Sequence, residues 1–513
     1  MAALFLPFLA SPAALALVLL SCSFAIVLLI SIVVFPGRFR DLSNGRGGGE
    51  VPQTYPVLGC LAAFYRNKHR LLDWYTELLA ASPTQTIVVW RLGAPRTVVT
   101  ANPQNVEHML KTNFGNYPKG KPFTELLGDL LGCGIFNADG DLWHTQRKLA
   151  SHEFTTRSLR ELVVGALEAE ADGRLLPFLA AAAAEERVVD LQEILRRFAF
   201  DTICMISLGT DPGCLEPSLP DSSLAAAFDA ASEICARRGT APVFAVWKLK
   251  RALSVGSERV LKERVGHIHG AVMKLICRRK EGMEREYGKA SDDFLSRLIS
   301  GGHDVEVVRD MVISFIMAGR DTTSSALTWF FWMLSCHPDI EQQVANEAAQ
   351  VKGKLDYHNL KEMRVLEACL YESMRLYPPV AWDSKHAAGD DVLPDGTRVG
   401  RGDRVTYFPY GMGRMETLWG EDAAEFRPER WQLGDPEEDR EATKVSPFKY
   451  PVFQGGPRVC LGKEMAFVQM KYVAAAVLRR FELRPASDVR PVFVPLLTSH
   501  MAGGLRVVVR RRG

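Results

Sequence analysis

The sequence predicts a mainly α-helical domain with small β-sheets at one side, joined by a hinge to an N-terminal transmembrane helix. Three observations predict this. A charge-free apolar stretch opens the chain. Helical patterning dominates residues 103–337. Strand-like runs are confined to short patches at Thr86–Val89 with Thr97–Thr100, at residues 392–405 and at residues 492–509. The 513 residues would allow about three domains by length alone. No linker-like composition interrupts residues 101–483, however, so one domain is expected.

No charged side chain precedes Arg38. Residues 13–35 are almost all Ala, Val, Leu, Ile, Phe, Ser and Cys, and about 20 such residues cross a bilayer as a helix. Pro7 and Pro12 lie before the run and Pro36-Gly37 ends it. Arg38, Arg40 and Arg46 follow, with no Lys or Arg before the span, so the positive-inside rule puts the rest of the chain in the cytoplasm. A cleaved signal peptide would carry an apolar run of roughly 7–15 residues behind a positive segment. Here the run is longer and the positive segment is missing. Residues 1–37 are therefore expected to be a single-pass anchor and residues 38–56 a hinge. The hinge is flexible at Gly45, Gly47, Gly48 and Gly49 and stiffer at Pro52 and Pro56. Residues 57–513 form the globular domain.

Within that domain the first two strands flank a Gly93-Ala94-Pro95 turn. The alanine run at 180–184 sits inside a helical stretch. Residues 304–336 contain no Pro and one Gly, and Pro338 follows. They read as one helix of about 30 residues, near 45 Å long, which must cross the domain. A helix is also expected from just after Cys460 to about Phe481.

Composition excludes several functions. Hydrophobic residues make up 47% and charged residues 24%, as in ordinary globular proteins. A net charge of +2 gives no electrostatic footprint for nucleic acid, and clusters such as Arg278-Arg279-Lys280 and Arg510-Arg511-Arg512 read as solvated faces. Ten scattered cysteines include no Cys-x-x-Cys pair, which excludes the usual zinc and dithiol spacings and a disulfide framework. The chain also has no Asn-x-Ser/Thr site.

One cysteine stands apart. Phe453-Gln454-Gly455-Gly456-Pro457-Arg458-Val459-Cys460-Leu461-Gly462 leads directly into a helix, whose N-terminus stabilises a thiolate. Gly455, Gly456 and Gly462 would let the loop pass beneath a flat ligand. Arg458 offers a fixed charge for a carboxylate two residues from the sulfur. A structural cysteine in a glycine turn is the competing reading, but the ten-residue context suits a thiolate axial ligand to haem iron. The segment resembles the cysteine loop Phe-x-x-Gly-x-Arg-x-Cys-x-Gly of the cytochrome P-450 superfamily at every fixed position. The resemblance implies the cytochrome P-450 fold for residues 57–513. It also implies haem held by Cys460, with Phe453 and Gly462 in its binding loop.

The centre of the long helix reads Ala318-Gly319-Arg320-Asp321-Thr322-Thr323. Gly and Thr weaken a helix there, and the Thr322 hydroxyl can bond the Ala318 carbonyl and open a kink beside the cofactor. The segment resembles the family's Ala-Gly-x-Asp/Glu-Thr-Thr turn. That resemblance implies that Thr322 hydrogen-bonds O2 and that Asp321 relays protons, an acid–alcohol arrangement suited to proton delivery.

Other motifs extend the resemblance. Glu372-Ser373-Met374-Arg375 matches the Glu-x-x-Arg helix, and Arg430 of Pro428-Glu429-Arg430-Trp431 matches its third member. This implies a buried structural triad that must be fully paired. Trp143-His144-Thr145-Gln146-Arg147 resembles the Trp-x-x-x-Arg helix, implying haem propionate contacts from Trp143 and Arg147, with a further contact from Arg458. Lys385 stands where the family commonly has a propionate-binding arginine. It keeps the charge but lacks the bidentate fork. Ala381 replaces a common proline.

The implied reaction is haem-dependent monooxygenation with O2. No Gly-x-Gly-x-x-Gly follows a strand and opens a helix, so electrons must come from a partner. The resemblance implies NADPH–cytochrome P-450 reductase at the endoplasmic reticulum membrane. Arg147, Lys148, Lys449 and Lys463 are candidates for its docking surface. Asp383-Ser384-Lys385, Leu393-Pro394-Asp395-Gly396-Thr397, residues 407–414 and residues 462–466 resemble the plant fatty-acid ω-hydroxylase branch. Within it they are most similar to the subgroup acting on fatty acids and jasmonoyl-amino acids. The substrate implied is a lipophilic carboxylate. Candidate substrate residues by family position are Phe123, Phe315, Ala318, Val380, Ala381, Trp382 and Leu497, each of which could equally be core. Two other readings compete with this one. A haem-thiolate isomerase or dehydratase acting on fatty-acid hydroperoxides would lack the acid–alcohol turn, and a non-enzymatic haem sensor or carrier would not need it.

Overall fold

The structure, a computed structural model, describes Ser23, Pro52, Thr54, Tyr55 and residues 57–512, apart from 155–158, 221, 242, 286–293 and 432–444. The expected anchor and most of the hinge lie outside the described residues. Among those described, no helix is long and apolar enough to cross a membrane.

The domain is mainly helical with small sheets, as the sequence predicts. Its eleven described strands, in chain order, are β1 (Thr86–Val89), β2 (Thr97–Thr100), β3 (Val188–Asp190), β4 (Asp383–His386), β5 (Asp391–Val392), β6 (Arg398–Val399), β7 (Arg404–Tyr407), β8 (Phe481–Pro485), β9 (Phe493–Pro495), β10 (Ser499–Met501) and β11 (Arg506–Arg511). The helices that position the site are α1 (Leu71–Ala81), α2 (Gly120–Leu131), α3 (Gly140–Ser151), α4 (Leu191–Leu208), α5 (Ser223–Gly239), α6 (Phe244–Leu253), α7 (Val305–Cys336), α8 (Arg364–Leu376) and α9 (Lys463–Leu478).

The main sheet runs β1-β2-β7-β4, with β2 parallel to β7 and the other neighbours antiparallel. β-Branched residues fill it, and Val98, Val99 and Val405 are buried. A second sheet runs β3-β11-β8. Two expectations fail here. β3 lies in a stretch read as helical and exists because Val189 pairs with Val507 at the far end of the chain. The last helix stops at Leu478 rather than Phe481, because Phe481 begins β8 and pairs with Arg511.

α7 is the 32-residue axis of a large hydrophobic core, and buried residues occur along it from Val308 to Leu334. It is assigned as helix from Val305 to Cys336 without a break. Gly319 serves packing: a Cβ there would lie 2.5 Å from Ile203 Cδ1 of α4. The missing side chain lets two helices pack at close range. α4 is itself well bounded. Asp190 accepts the Gln192 amide at 3.1 Å, and Gly209 ends the helix in the left-handed conformation at φ 57°. A smaller core of Phe64, Trp74, Tyr75, Tyr407 and Phe408 covers the main sheet.

Candidate active site

A cavity of about 420 Å³ lies between α7 and the loop that precedes α9. The loop is built before any ligand is considered. The Cys460 amide donates to the Phe453 carbonyl at 2.8 Å and closes it. Gly456 adopts φ 63°, and a Cβ there would meet the Leu110 carbonyl oxygen at 2.0 Å. A Cβ at Gly455 would meet the Phe448 ring at 2.7 Å. These two glycines therefore fit the loop to its own protein neighbours, not to a ligand. Gly462 is less crowded: a Cβ there would sit 3.5 Å from the Phe154 ring and 3.9 Å from the Cys460 sulfur.

Cys460 borders the cavity and is reached from it, while protein encloses its other sides. Burial pushes its thiol up, opposed by the Gly462 N–H and the charges of Arg147 and Lys463. A bound metal ion reverses that preference by taking the proton's place.

The predicted cation cluster assembles at one end of the loop. The Arg458 guanidinium stacks 4.4 Å from the Trp143 ring centroid and binds Asp139 at 2.6 Å and the Ala138 carbonyl at 2.9 Å. Its Nε is buried with no partner. Arg147 donates to the Val459 carbonyl at 2.7 Å. Trp143, Arg147, Phe453, Arg458, Cys460 and Gly462 all face the cavity. Lys385 does not. Strand alternation turns it onto Asp383, 2.7 Å away, where it is wholly buried, and burial lowers its pKa to about 7. The cavity-facing lysine is Lys119, bound to the same Asp383 at 2.7 Å. No local motif marks Lys119, which sits just before α2.

On the opposite wall, Ala318, Thr322 and Thr323 face the cavity. The Thr322 hydroxyl donates to the Ala318 carbonyl at 2.7 Å, the bond expected from spacing. Asp321 points away from the cavity and is buried, with Oδ1 accepting no hydrogen bond and lying 3.6 Å from Arg320 Nη1. Burial raises the Asp321 pKa against the opposing charge of Arg320. Arg320 is anchored behind the helix by Asp229 at 2.7 Å.

The charged scaffold closes below. Arg375 binds Glu372 through two bonds, of 2.8 and 2.7 Å, and donates to the Ala423 and Glu425 carbonyls at 2.6 and 2.8 Å. Glu372 also accepts Arg430 Nε at 3.3 Å, Trp431 Nε1 at 2.7 Å and the Arg427 amide at 2.9 Å. Both Glu372 and Arg375 are buried, and α8 presents them one turn apart.

Of the candidate substrate residues, Phe123, Phe315, Ala318, Val380, Trp382 and Leu497 face the cavity. Ala381 does not: it packs in the sheet core, where its carbonyl accepts the Tyr410 amide at 3.1 Å. Phe294, stacked 4.1 Å from Phe315, is a wall residue the sequence did not reveal. Of the docking candidates, Lys148 is exposed, whereas Arg147 is half-buried and turned into the cavity. Lys449 and Lys463 lie over the Trp419 and Phe453 rings, at 4.4 and 5.6 Å.

The chain matches the cytochrome P450 family over residues 50–501. It is 55% identical over 487 residues to cytochrome P450 94B1 of Arabidopsis thaliana, covering 94% of this chain and 95% of that one. It is 59% identical over 464 residues to cytochrome P450 94B3 of the same plant, covering 90% and 92%. Cytochrome P450 94A1 of Vicia sativa is 44% identical over 466 residues, covering 90% and 91%. The crystal structure of the cytochrome P450DA heme domain has the same fold, with a TM-score of 0.76 at 19% identity over 91% of this chain and 98% of that one. Haem held by a cysteine thiolate is the cofactor of the family, and the residues here fit it. The cavity offers the Cys460 sulfur at the mouth of α9, a glycine two residues on and a guanidinium with an unpaired buried nitrogen. From this agreement of loop, cavity and relatives, the chain belongs to the cytochrome P450 family and is a haem-dependent monooxygenase.

Proposed function

We propose that the enzyme hydroxylates the terminal (ω) carbon of a fatty acid or of a fatty-acid-derived carboxylate such as a jasmonoyl-amino acid. Its electrons come from NADPH through a partner reductase. The observation that carries this reading is the apolar wall of Phe123, Phe315, Val380, Trp382 and Leu497 around the cavity that Cys460 borders. The similarity to plant cytochromes P450 94B1, 94B3 and 94A1 supports it. Terminal attack is demanding because a methyl C–H is stronger than internal ones, so the wall must admit a chain end and hold back its flank.

Bound haem supplies the reduction of O2 and the oxygen insertion. The protein's residues do the rest. Cys460 would hold the haem iron through its thiolate, and Trp143, Arg147 and Arg458 would hold the acidic edge of the cofactor. Thr322 offers a hydroxyl to the cavity, already aligned on the Ala318 carbonyl. Asp321 lies on the same turn of α7, and burial shifts its carboxyl towards the neutral acid against the opposing charge of Arg320. The aromatic wall orients the substrate and excludes water.

Residues 1–37 would anchor the enzyme in the endoplasmic reticulum membrane, residues 38–56 would act as the hinge, and residues 57–513 would face the cytoplasm. Exposed Trp90, Val246, Leu249 and Leu253 suit a surface resting on the bilayer. Packing of the β1–β2 turn at Gly93 against Val243 brings Trp90 towards α6. Exposed Lys148 with Lys449 and Lys463 would meet the reductase.

The test is product analysis from microsomes supplied with reductase, NADPH and either dodecanoate or jasmonoyl-isoleucine. An ω-hydroxy product that requires O2 and NADPH is expected. Turnover of a fatty-acid hydroperoxide without NADPH, or internal hydroxylation only, would overturn the reading. Cys460→Ala is expected to abolish the thiolate-type Soret shift of the reduced, CO-bound difference spectrum. An unchanged spectrum would remove Cys460 as the ligand.

A further inference from the structure

The main sheet meets the cavity with two differently finished faces. Across β4 and β7, Asp383 pairs with Tyr407 and Lys385 with Val405, while Ser384 pairs with Thr406 and His386 with Arg404. Residues directly opposite in an antiparallel pair share a face. Arg404 therefore lies on the Ser384 face, away from Asp383 and Lys385.

The Asp383 face is closed. Its carboxylate accepts Lys119 at 2.7 Å, Lys385 at 2.7 Å and the Tyr407 hydroxyl at 3.0 Å. The Arg404 face is open. Arg404 Nε donates to Ser384 Oγ at 3.2 Å, and among the described residues no carboxylate lies within ion-pair distance of this guanidinium. Yet Arg404 lines the same cavity as Cys460.

Its charged and titratable neighbours are Arg91, Tyr75, His386 and Asp383. Arg91 is itself buried, with Nε unpartnered and Nη2 donating to the Ala241 carbonyl at 3.5 Å. The His386 ring is occupied by the Lys119 carbonyl at 2.7 Å. Asp383 is the single acid of the group and is already shared by two lysines. Burial lowers the Arg404 pKa to about 10, so the group stays charged at neutral pH. Arg404 is half-buried, a cation shielded from water without a counter-ion carries a cost, and a planar guanidinium is matched by a carboxylate.

We propose that Arg404, steadied by Ser384, binds the carboxylate of the substrate and thereby selects which end of an apolar chain reaches the haem. This inference rests on the carboxylate-substrate reading above and adds the group that recognises the acid.

The test is optical titration of the haem-loaded, full-length enzyme, reading the substrate-induced Soret shift. Dodecanoate and jasmonoyl-isoleucine are each compared with their methyl esters. The wild-type protein is expected to bind the acid of at least one pair more tightly than its ester. Arg404→Gln should weaken binding of that acid about 30-fold and leave the ester nearly unchanged, which collapses the acid/ester ratio. Arg404→Lys should lose less, about 5-fold, because charge survives without the fork. If Arg404→Gln does not retain haem, Arg404→Lys and Ser384→Ala decide by the same ratio. An unchanged ratio in the variants, or an equal loss for acid and ester, overturns the role of Arg404 while leaving the substrate class standing. A wild-type enzyme that prefers neither acid overturns the carboxylate reading, and the Arg404 inference with it.

Discussion

Two charged regions of this protein are finished in opposite ways. Around Glu372, Arg375 and Arg430 every charge is answered: the carboxylate takes four partners and the arginine's remaining donors go to backbone carbonyls. Around the cavity, charges are left partly unanswered. Asp321 Oδ1 and Arg458 Nε are buried without hydrogen bonds, and Arg404 has no carboxylate. The first arrangement can only hold the fold, because it has no valence left for a ligand. The second carries a standing electrostatic cost that a cofactor, a proton or a substrate can relieve.

If that distinction is right, the largest effect comes from breaking the closed region. Glu372→Ala strands a fully buried Arg375 and should cost about 3–5 kcal/mol of stability. Haem content measured by CO-difference spectroscopy should fall to near zero in soluble and membrane fractions alike. A stable, haem-loaded Glu372→Ala protein of low activity would place the triad in chemistry instead. Next in size is Asp321→Asn, which keeps shape and haem but removes the transferable proton. Turnover should drop about 100-fold with little change in substrate binding.

A smaller effect is expected at Asp383, whose closed face adjoins the cavity. Burial alone would raise its pKa, but Lys119 and Lys385 outweigh burial and hold the carboxyl well below the usual range. The stability this carboxylate contributes is present above its unfolded pKa and is lost as pH falls through the folded one. Asp383→Asn should therefore cost about 1–3 kcal/mol at neutral pH and flatten the acid limb of a melting-temperature profile below about pH 4. The smallest effect belongs to Lys385→Met. Asp383 keeps Lys119, and a buried charge is replaced by an apolar chain, so stability should change by less than about 1 kcal/mol and haem retention not at all. Loss of haem from that variant would restore Lys385 as a propionate contact.

These regions were unequally legible in the sequence. Motifs carried by a single helix or loop were readable because their geometry is local. Cys460 at a helix mouth, Thr322 four residues from Ala318, and Glu372 three from Arg375 are set by helical spacing. Whatever depends on sheet register was not readable. Lys385 and Ala381 sit where family position suggested, yet alternation turns one onto Asp383 and packing takes the other into the sheet core. Arg404 shares the Ser384 face only because β4 and β7 pair as they do, Lys119 meets the cavity through its contacts with Asp383 and His386 of β4, and nothing in their own neighbourhoods announces either. β3 was missed for the same reason, since its partner lies in β11. Gly319 was legible as a weak point of the helix but not as a packing site, since that contact is set by Ile203 on another helix, which local sequence does not contain.

That last contact makes positions 203 and 319 a single unit for diversification or engineering. Ile203 occupies the gap that Gly319 leaves, and it also forms part of the cavity wall. A methyl group introduced at 319 finds space only after 203 has been trimmed, whereas trimming 203 alone enlarges the chamber from behind. Remodelling this enzyme for bulkier, branched molecules would thus begin with a paired exchange across the helix seam and leave the acid, the alcohol and the sulfur untouched.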